Sequence, residues 1–176
     1  MSSVEASLGL APGELRLETD HAVWAQAFAE ERGRIDSRIA PASLHHTGST
    51  AVPGLPAKPI LDMTIIAPSA DHDRIAGALV TLGYHDRDRR PGGGGHVLIR
   101  TRSGLRTHNL HLFDTSDPEG QDHLDFTAAL RANPAARRAY AARKAQLIAD
   151  PSVSRAAYVV AKGETVAAIL RAWRAR

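Results

Sequence analysis

The start of the chain shows two patterns of apolar and polar positions. Residues 1–12 have no clear period, so we expect a loose segment there. Residues 14–18 alternate between apolar and polar side chains, which predicts a short strand at the edge of a sheet.

The next pattern has the period of a helix. Thr19 or Asp20 can cap its start, and Pro41 is expected to end it. The side chains at this spacing are Trp24, Phe28, Glu31, Ile35 and Ile39. We expect Trp24 and Phe28 to pack in the hydrophobic core.

The middle of the chain carries the pattern of a sheet. Residues 60–66 are apolar and β-branched around a single acid, which predicts a strand inside a sheet. The other elements predicted here are a strand over 43–47, a helix over 71–82, and strands over 84–86, 96–101 and 105–113. The charged, glycine-rich tract from Arg87 to Gly95 predicts a hairpin tip or a lid.

From residue 117 onwards the pattern is that of alanine- and arginine-rich helices. Helices are predicted over 121–132 and 134–149, and Asn133-Pro134 would cap and open the second of them. A last helix would carry Val159, Val166, Ile169, Leu170 and Trp173 on one face. We therefore expect a single domain over residues 1–176, with a sheet-containing core over 14–116 and C-terminal helices over 117–176.

Composition narrows the class of protein. Hydrophobic residues make up 43% of the chain and charged residues 23%, as in ordinary globular domains. The absence of cysteine excludes a disulfide scaffold, a thiolate metal site and a cysteine nucleophile. No segment approaches the roughly 20 apolar residues that cross a bilayer, and the start lacks a signal-peptide pattern. We expect a cytoplasmic protein with no membrane partner.

The formal net charge of +3 favours an anionic ligand. The basic residues are spread along the chain and are not interleaved with aromatic residues, so we expect no specific binding of nucleic acid. The sequence does not predict an oligomeric state.

The candidate chemistry centres on one acid in the apolar strand. Asp62 is costly in such a strand unless it meets a metal, a partner or solvent. A Gly48-Ser49 turn precedes it, and the rigid Pro/Gly loop between them carries Lys58. The simplest use of this arrangement is a divalent cation on Asp62 that holds phosphates opposite the turn.

A string of residues around this acid resembles the signature of the GrpB family. The string comprises His46, Gly48, Ser49, Thr50, Val52-Pro53-Gly54-Leu55, Ala57-Lys58-Pro59-Ile60 and Asp62. A second set comprises Phe126, Leu130-Arg131-Ala132-Asn133-Pro134, Tyr140, Lys144, Tyr158 and Lys162. The resemblance covers residues 15–173. It implies the α/β fold of the nucleotidyltransferase superfamily, which is a mixed, mostly antiparallel sheet flanked by an N-terminal helix and by C-terminal helices.

The superfamily pattern also assigns roles to individual positions. It places Gly and Ser before a strand that carries two alternating acids, and Gly48, Ser49 and Asp62 match it. The second acid would fall at Thr64 and is missing. His111 would take the place of a third acid on a neighbouring strand.

Two alternatives stay open for the site around Asp62. Two-metal catalysis normally needs several bridging carboxylates, so the missing acids count against a pair of magnesium ions. A single cation on Asp62 and His111 is one alternative, with magnesium, manganese or zinc as the metal. A phosphate pocket without metal is the other.

The resemblance and the charges suggest further ligands for a phosphate group. Lys58, Arg131, Lys144 and Lys162 could neutralise a triphosphate, and Gly48, Ser49 and Thr50 belong to the turn that would hold it. His46 could act as a base or a phosphate donor, or could be structural. His108 and His111 lie three residues apart on a strand, so they should face opposite sides of it. Five further histidines are expected in surface contexts without a role, namely His21, His72, His85, His96 and His123.

Three functions follow from these expectations. The first is metal-dependent transfer of a nucleotidyl group from a nucleoside triphosphate to a small acceptor, with Asp62, His111 and Lys58 as catalytic residues. The second is a module without catalytic activity that binds a nucleotide or another anion, which the missing acid at Thr64 favours. The third and weakest is a histidine–metal hydrolase.

Overall fold

The computed structural model describes residues 7–39, 43–89 and 95–176. Its strands are β1 (Ser43–Thr47), β2 (Leu61–Ile66), β3 (Tyr84–Arg89), β4 (His96–Arg102) and β5 (Leu105–Phe113). Its helices are α1 (His21–Asp36), α2 (His72–Thr81), α3 (Pro118–Ala132), α4 (Pro134–Ala149), α5 (Arg155–Ala161) and α6 (Gly163–Arg174). Short 3-10 turns cover Ser49–Ala51 and Ser69–Asp71. None of the helices in the described ranges is long and apolar enough to cross a membrane.

The five strands form one mixed sheet in the order β1-β2-β5-β4-β3. Strand β2 pairs antiparallel with β1 and parallel with β5, and the other two pairings are antiparallel. The register places Asp62 beside Thr47 on one side and beside Asn109 on the other. Asp62 therefore lies inside the sheet, at the start of the strand that was predicted to be interior.

The two faces of the sheet have different partners. Met63 and Ile65 point into a hydrophobic core that the sheet shares with α1 and α2. Asp62 and Thr64 alternate with them and face the other way, towards the C-terminal helices. A second hydrophobic cluster joins α3, α4 and α6 to the loop after Ser49–Ala51, and Leu55 is fully buried in it.

The predicted α/β class is confirmed, with a mixed and mostly antiparallel sheet flanked by helices and a helical C-terminal region. The strand predicted over 43–47 has the observed bounds. Asn133 caps α4 as expected, because its side chain accepts hydrogen bonds from the backbone N–H groups of Ala135 and Ala136. The division into a core over 14–116 and helices over 117–176 stays a prediction.

Three expectations about the elements were wrong. The start is not loose over residues 7–12, because Leu8 and Leu10 are buried and Leu10 forms a β-bridge with Arg106. Residues 14–18 do not form a strand, since only an isolated bridge links Glu18 to Ala57. The last helix is two helices that part between Ala161 and Gly163. Two further predictions lie outside the described residues. The hairpin tip or lid predicted at the glycine tract falls mostly on residues 90–94, and the predicted helix end falls on Pro41.

Candidate ligand-binding cleft

A cleft of about 610 Å³ lies between the sheet and the C-terminal helices. The Gly48-Ser49 bend, Asp62 of β2 and His111 of β5 line it on the sheet side. Lys58 and Lys162 line it from the loop before β2 and from the break between α5 and α6. The structure thus brings together residues from four separate segments of the chain.

The Asp62 carboxylate faces the bend at close range. Gly48 has φ +69°, and a Cβ atom at this position would lie 2.8 Å from Asp62 Oδ2. Only glycine lets the backbone pass so near the acid. The Gly48 N–H donates to Thr127 Oγ1 at 3.0 Å, and Asn109 Nδ2 donates to Asp62 Oδ1 at 2.7 Å. Helix α3 therefore holds the bend, and β5 holds the acid.

All three lysines of the chain lie around this bend. Lys58, Lys144 and Lys162 line a small cavity of about 40 Å³ that also includes Ser49 and Asp62. The Lys58 and Lys162 ammonium groups lie 4.1 Å and 4.9 Å from the centre of the Tyr158 ring. Such contacts with an aromatic face stabilise both cations.

Lys144 is the most enclosed of the three, with 2% of its surface exposed. Its Nζ donates to Ser49 Oγ at 3.1 Å and also to the carbonyl oxygen of Pro56. Burial lowers the pKa of Lys144 to about 7; the positive charges of Lys162 and Lys58 add to this effect, and the Asp62 carboxylate opposes it. Burial also raises the pKa of the Tyr158 hydroxyl.

The residues present do not fit the two-cation centre expected from the superfamily pattern. Thr64 is fully buried, and its hydroxyl is hydrogen-bonded to Thr47 Oγ1 at 3.1 Å and to His123 Nδ1 at 3.0 Å. His111 pairs with Thr64 across β2 and β5 and lines the same cleft as Asp62. Within the described residues, no group of three or more His, Asp or Glu side chains could hold a metal. Joint binding of one cation by Asp62 and His111 stays a prediction.

His46 and Arg131, predicted to contact the substrate, lie outside this cleft. They line a separate groove on the other side of the Ser49–Ala51 turn. Arg131 donates two hydrogen bonds to the carbonyl oxygen of Ala51, at 3.0 and 2.8 Å. His46 stacks on the Phe28 ring and bonds to Thr50 Oγ1 at 3.0 Å, and burial lowers the pKa of His46 to about 4. Both side chains therefore support the turn from behind.

The other histidines divide between the two faces of the sheet. His108 and His111 face opposite sides as expected, because His108 is buried against Arg100 while His111 lines the cleft. The expected surface context was wrong for His72 and His96, which are 5% and 6% exposed. His123, which was given no role, lines the cleft and bonds to Thr64.

Asn109 is another cleft residue that the sequence did not single out. It shares a face of β5 with His111, two positions away, so strand alternation was a usable signal. Its bond to Asp62 follows from the parallel register of β2 and β5, which the sequence does not encode locally. Asn109 Oδ1 is buried and has no hydrogen-bond partner in the described part of the chain.

Comparison with known proteins agrees with the fold and the motif. Residues 14–172 match the family described as GrpB protein. A UPF0157 protein of Streptomyces coelicolor is 34% identical over 171 residues, which is 96% of this chain and 89% of that protein. The UPF0157 protein YqkA of Bacillus subtilis is 32% identical over 146 residues, 81% of this chain, and the match spans only 42% of its own length.

A solved structure extends this agreement to three dimensions. The crystal structure of the conserved protein GrpB from Enterococcus faecalis superposes with a TM-score of 0.76 at 27% identity, over 90% of this chain and 95% of that one. The match of residues 14–172 covers most of the sequence, including the bend, the acid and all three lysines. This chain therefore belongs to the GrpB family.

Proposed function

We propose that this protein binds a nucleotide in the cleft and holds it by its phosphates. The observation that carries the proposal is the convergence of Lys58, Lys144 and Lys162 beside the Gly48-Ser49 bend. The ammonium groups of Lys58 and Lys162, which line the cleft, can neutralise phosphate oxygens as compact point charges. Asp62 is the single carboxylate that lines the small cavity with them, so this cavity is cationic overall.

The apolar lining of the cleft suits a nucleoside. It comprises Ile60, Phe126, Tyr140, Val166 and Leu170. The Phe126 and Tyr140 rings meet edge to face with their centres 5.1 Å apart. Asn109 Oδ1 offers a buried acceptor to a ligand hydroxyl or amino group. The volume of about 610 Å³ lies in the range of small-molecule sites.

Isothermal titration with nucleoside triphosphates tests this proposal. In Lys162→Met we expect Kd for the best-bound nucleotide to rise about 10- to 100-fold, since a charged hydrogen bond contributes roughly 1.5–3 kcal/mol. Arg138→Met removes the same charge from an exposed position of α4 and serves as the matched control, with an unchanged Kd. Equal losses in both variants, or no binding of ATP, GTP, CTP or UTP, would contradict the proposal.

A second candidate function is transfer of a nucleotidyl group from the bound nucleotide, supplied as its magnesium complex, to a small acceptor. The observation that favours it is the Asp62 carboxylate, which faces the bend inside a cationic pocket. A module that only binds phosphate gains nothing from an acid there, because the acid repels the ligand. In the superfamily that the motif resembles, an acid at this place holds the cation.

The two functions differ in how they depend on Asp62. If transfer occurs, Asp62→Ala should abolish the movement of an α-labelled nucleotidyl group to an acceptor. Asp62→Asn keeps the shape of the side chain and separates loss of charge from loss of packing. Nucleotide binding that survives both EDTA and Asp62→Ala, with no transfer to any acceptor tried, would identify a binding module.

A further inference from the structure

The chain uses lysine sparingly and in one place. It contains nineteen arginines but only three lysines, and all three line the cavity beside Ser49. An arginine keeps its proton at any physiological pH, whereas a buried lysine can lose it. Lysine can therefore serve where a basic side chain must accept a proton, and arginine cannot.

Ser49 and Lys144 have the geometry of a nucleophile and its base. Lys144 Nζ lies 3.1 Å from Ser49 Oγ, within the distance required for proton transfer between such a pair. Lys144 is enclosed behind the bend, whereas Ser49 is partly exposed and lines both the large cleft and the small cavity. The Ser49 hydroxyl is thus accessible from the cleft, and the Lys144 amine lies behind it, enclosed by the protein.

The surroundings of the amine favour its neutral form. The pKa of Lys144, about 7, leaves a substantial fraction of free amine at neutral pH. The charged groups that face it are Lys58, Asp62 and Lys162, and the rings of Tyr140 and Tyr158 complete its surroundings. A neutral amine can donate one hydrogen to the Pro56 carbonyl and still accept the proton of Ser49 with its lone pair.

We propose that Ser49 is a nucleophile, that Lys144 is its general base, and that the pair reacts with activated phosphorus esters and anhydrides. Ser49 Oγ forms a bond to phosphorus, and the bond from phosphorus to the leaving group breaks with its electron pair. The hydroxyl proton passes to Lys144 Nζ. Lys58 and Lys162 stabilise the negative charge on the phosphoryl oxygens. The product is a phosphoryl ester on Ser49, and the inference does not require that the natural ligand be a nucleotide.

A fluorophosphonate probe tests the pair without knowledge of the natural ligand, because fluoride then leaves as phosphorus bonds to Ser49. Peptide mass spectrometry should locate the adduct on Ser49 and not on Ser152, an exposed serine whose hydroxyl is hydrogen-bonded to Asp150. Ser49→Ala should remove the adduct. Lys144→Met should slow its formation by about 100-fold or more, as loss of a general base does. In the unsubstituted protein the rate should rise with pH around a midpoint near 7.

Lys162→Met provides a readout that a purely structural role of Lys144 would not change. Removal of this neighbouring positive charge raises the pKa of Lys144, so the midpoint of the pH–rate profile should move to higher pH. This measurement also keeps the test decisive if Lys144→Met does not fold. The proposal is overturned by no adduct on Ser49, by an undiminished rate in folded Lys144→Met, or by an unmoved midpoint in Lys162→Met.

Discussion

Replacing Gly48 by alanine is expected to lower the free energy of unfolding by about 2–5 kcal/mol, from a strained backbone and an overpacked contact. The backbone at Gly48 has φ +69° and ψ −162°, a conformation that side-chain-bearing residues rarely adopt. The added methyl group would lie 2.8 Å from Asp62 Oδ2 and 3.0 Å from Asp62 Cβ. The bend, the acid or both must move to admit it.

Gly54→Ala is the matched control, because Gly54 also has positive φ, +76°, but has open space around its Cβ position. Gly54→Ala should lower the free energy of unfolding by about 1–2 kcal/mol, because it adds backbone strain without a close contact. Urea titrations followed by the fluorescence of the two tryptophans, Trp24 and Trp173, measure both changes. Adding Asp62→Ala should recover part of the Gly48→Ala loss, because it removes the 2.8 Å contact. Equal losses in Gly48→Ala and Gly54→Ala would show that the bend does not pack on the acid.

Replacing Glu31 by alanine is expected to cost about 3–5 kcal/mol of stability, because it leaves buried charges and hydrogen bonds without a partner. Glu31 is 2% exposed, although it lies in the middle of α1. Its carboxylate accepts a hydrogen bond from the Tyr84 hydroxyl at 2.8 Å and pairs with Arg100 at 2.9 Å and Arg34 at 2.7 Å. These contacts join α1 to β3 and β4 on the side of the sheet away from the cleft.

Thermal unfolding gives the measurement for this network. In a chain of this length each kcal/mol lowers the Tm by roughly 2–4 °C, so Glu31→Ala should melt about 6–20 °C earlier. Glu30→Ala is the matched control, since Glu30 is exposed on the same helix and accepts a hydrogen bond from Gln26. That variant should stay within about 0.5 kcal/mol of the unsubstituted protein. A Tm that falls equally in both variants would show that the Glu31 network contributes no net stability.

Short-range patterns predicted the elements well where one face of each element is buried. The apolar, β-branched run around Asp62 gave β2, and the helical spacing that included Glu31 gave α1. The spacing even placed Glu31 on the apolar face, but the reason for an acid there lies in Tyr84 and Arg100, far away in sequence. The local pattern therefore predicted the position of Glu31 but not the residues that it contacts.

The errors arose where local pattern does not decide the structure. Residues 14–18 have the alternating pattern of a strand but form only one isolated β-bridge, between Glu18 and Ala57, because no neighbouring strand in the described part of the chain runs alongside them. The helical period of apolar residues continues through the last twenty residues, so it gives no indication of the break before Gly163. The glycine itself was the available signal for a helix break. Pairing partners and helix breaks depend on what packs against the segment.

The site shows the same limit most clearly in its basic residues. Arg131 lies at the end of α3 and Lys144 lies within α4, and both were expected to neutralise a phosphate group. Packing of α4 onto the loop around Pro56 buries Lys144 beside Ser49, whereas Arg131 points to the opposite side of the turn and bonds to Ala51. The orientation of each helix therefore decides which side chain reaches the small cavity beside Ser49 and which supports the turn.

The sequence by itself determined the family, the class of fold, and the presence of a Gly-Ser bend followed by an acid in an interior strand. These properties depend on residue type and on spacings of a few positions, which fix the local backbone and the faces of each element. Only the tertiary structure decided that three distant lysines meet at the bend, that Asn109 bonds to Asp62, and that Thr64 is sealed by His123. Those contacts join segments up to about a hundred residues apart, and they depend on strand register and helix packing, which no short stretch of sequence specifies.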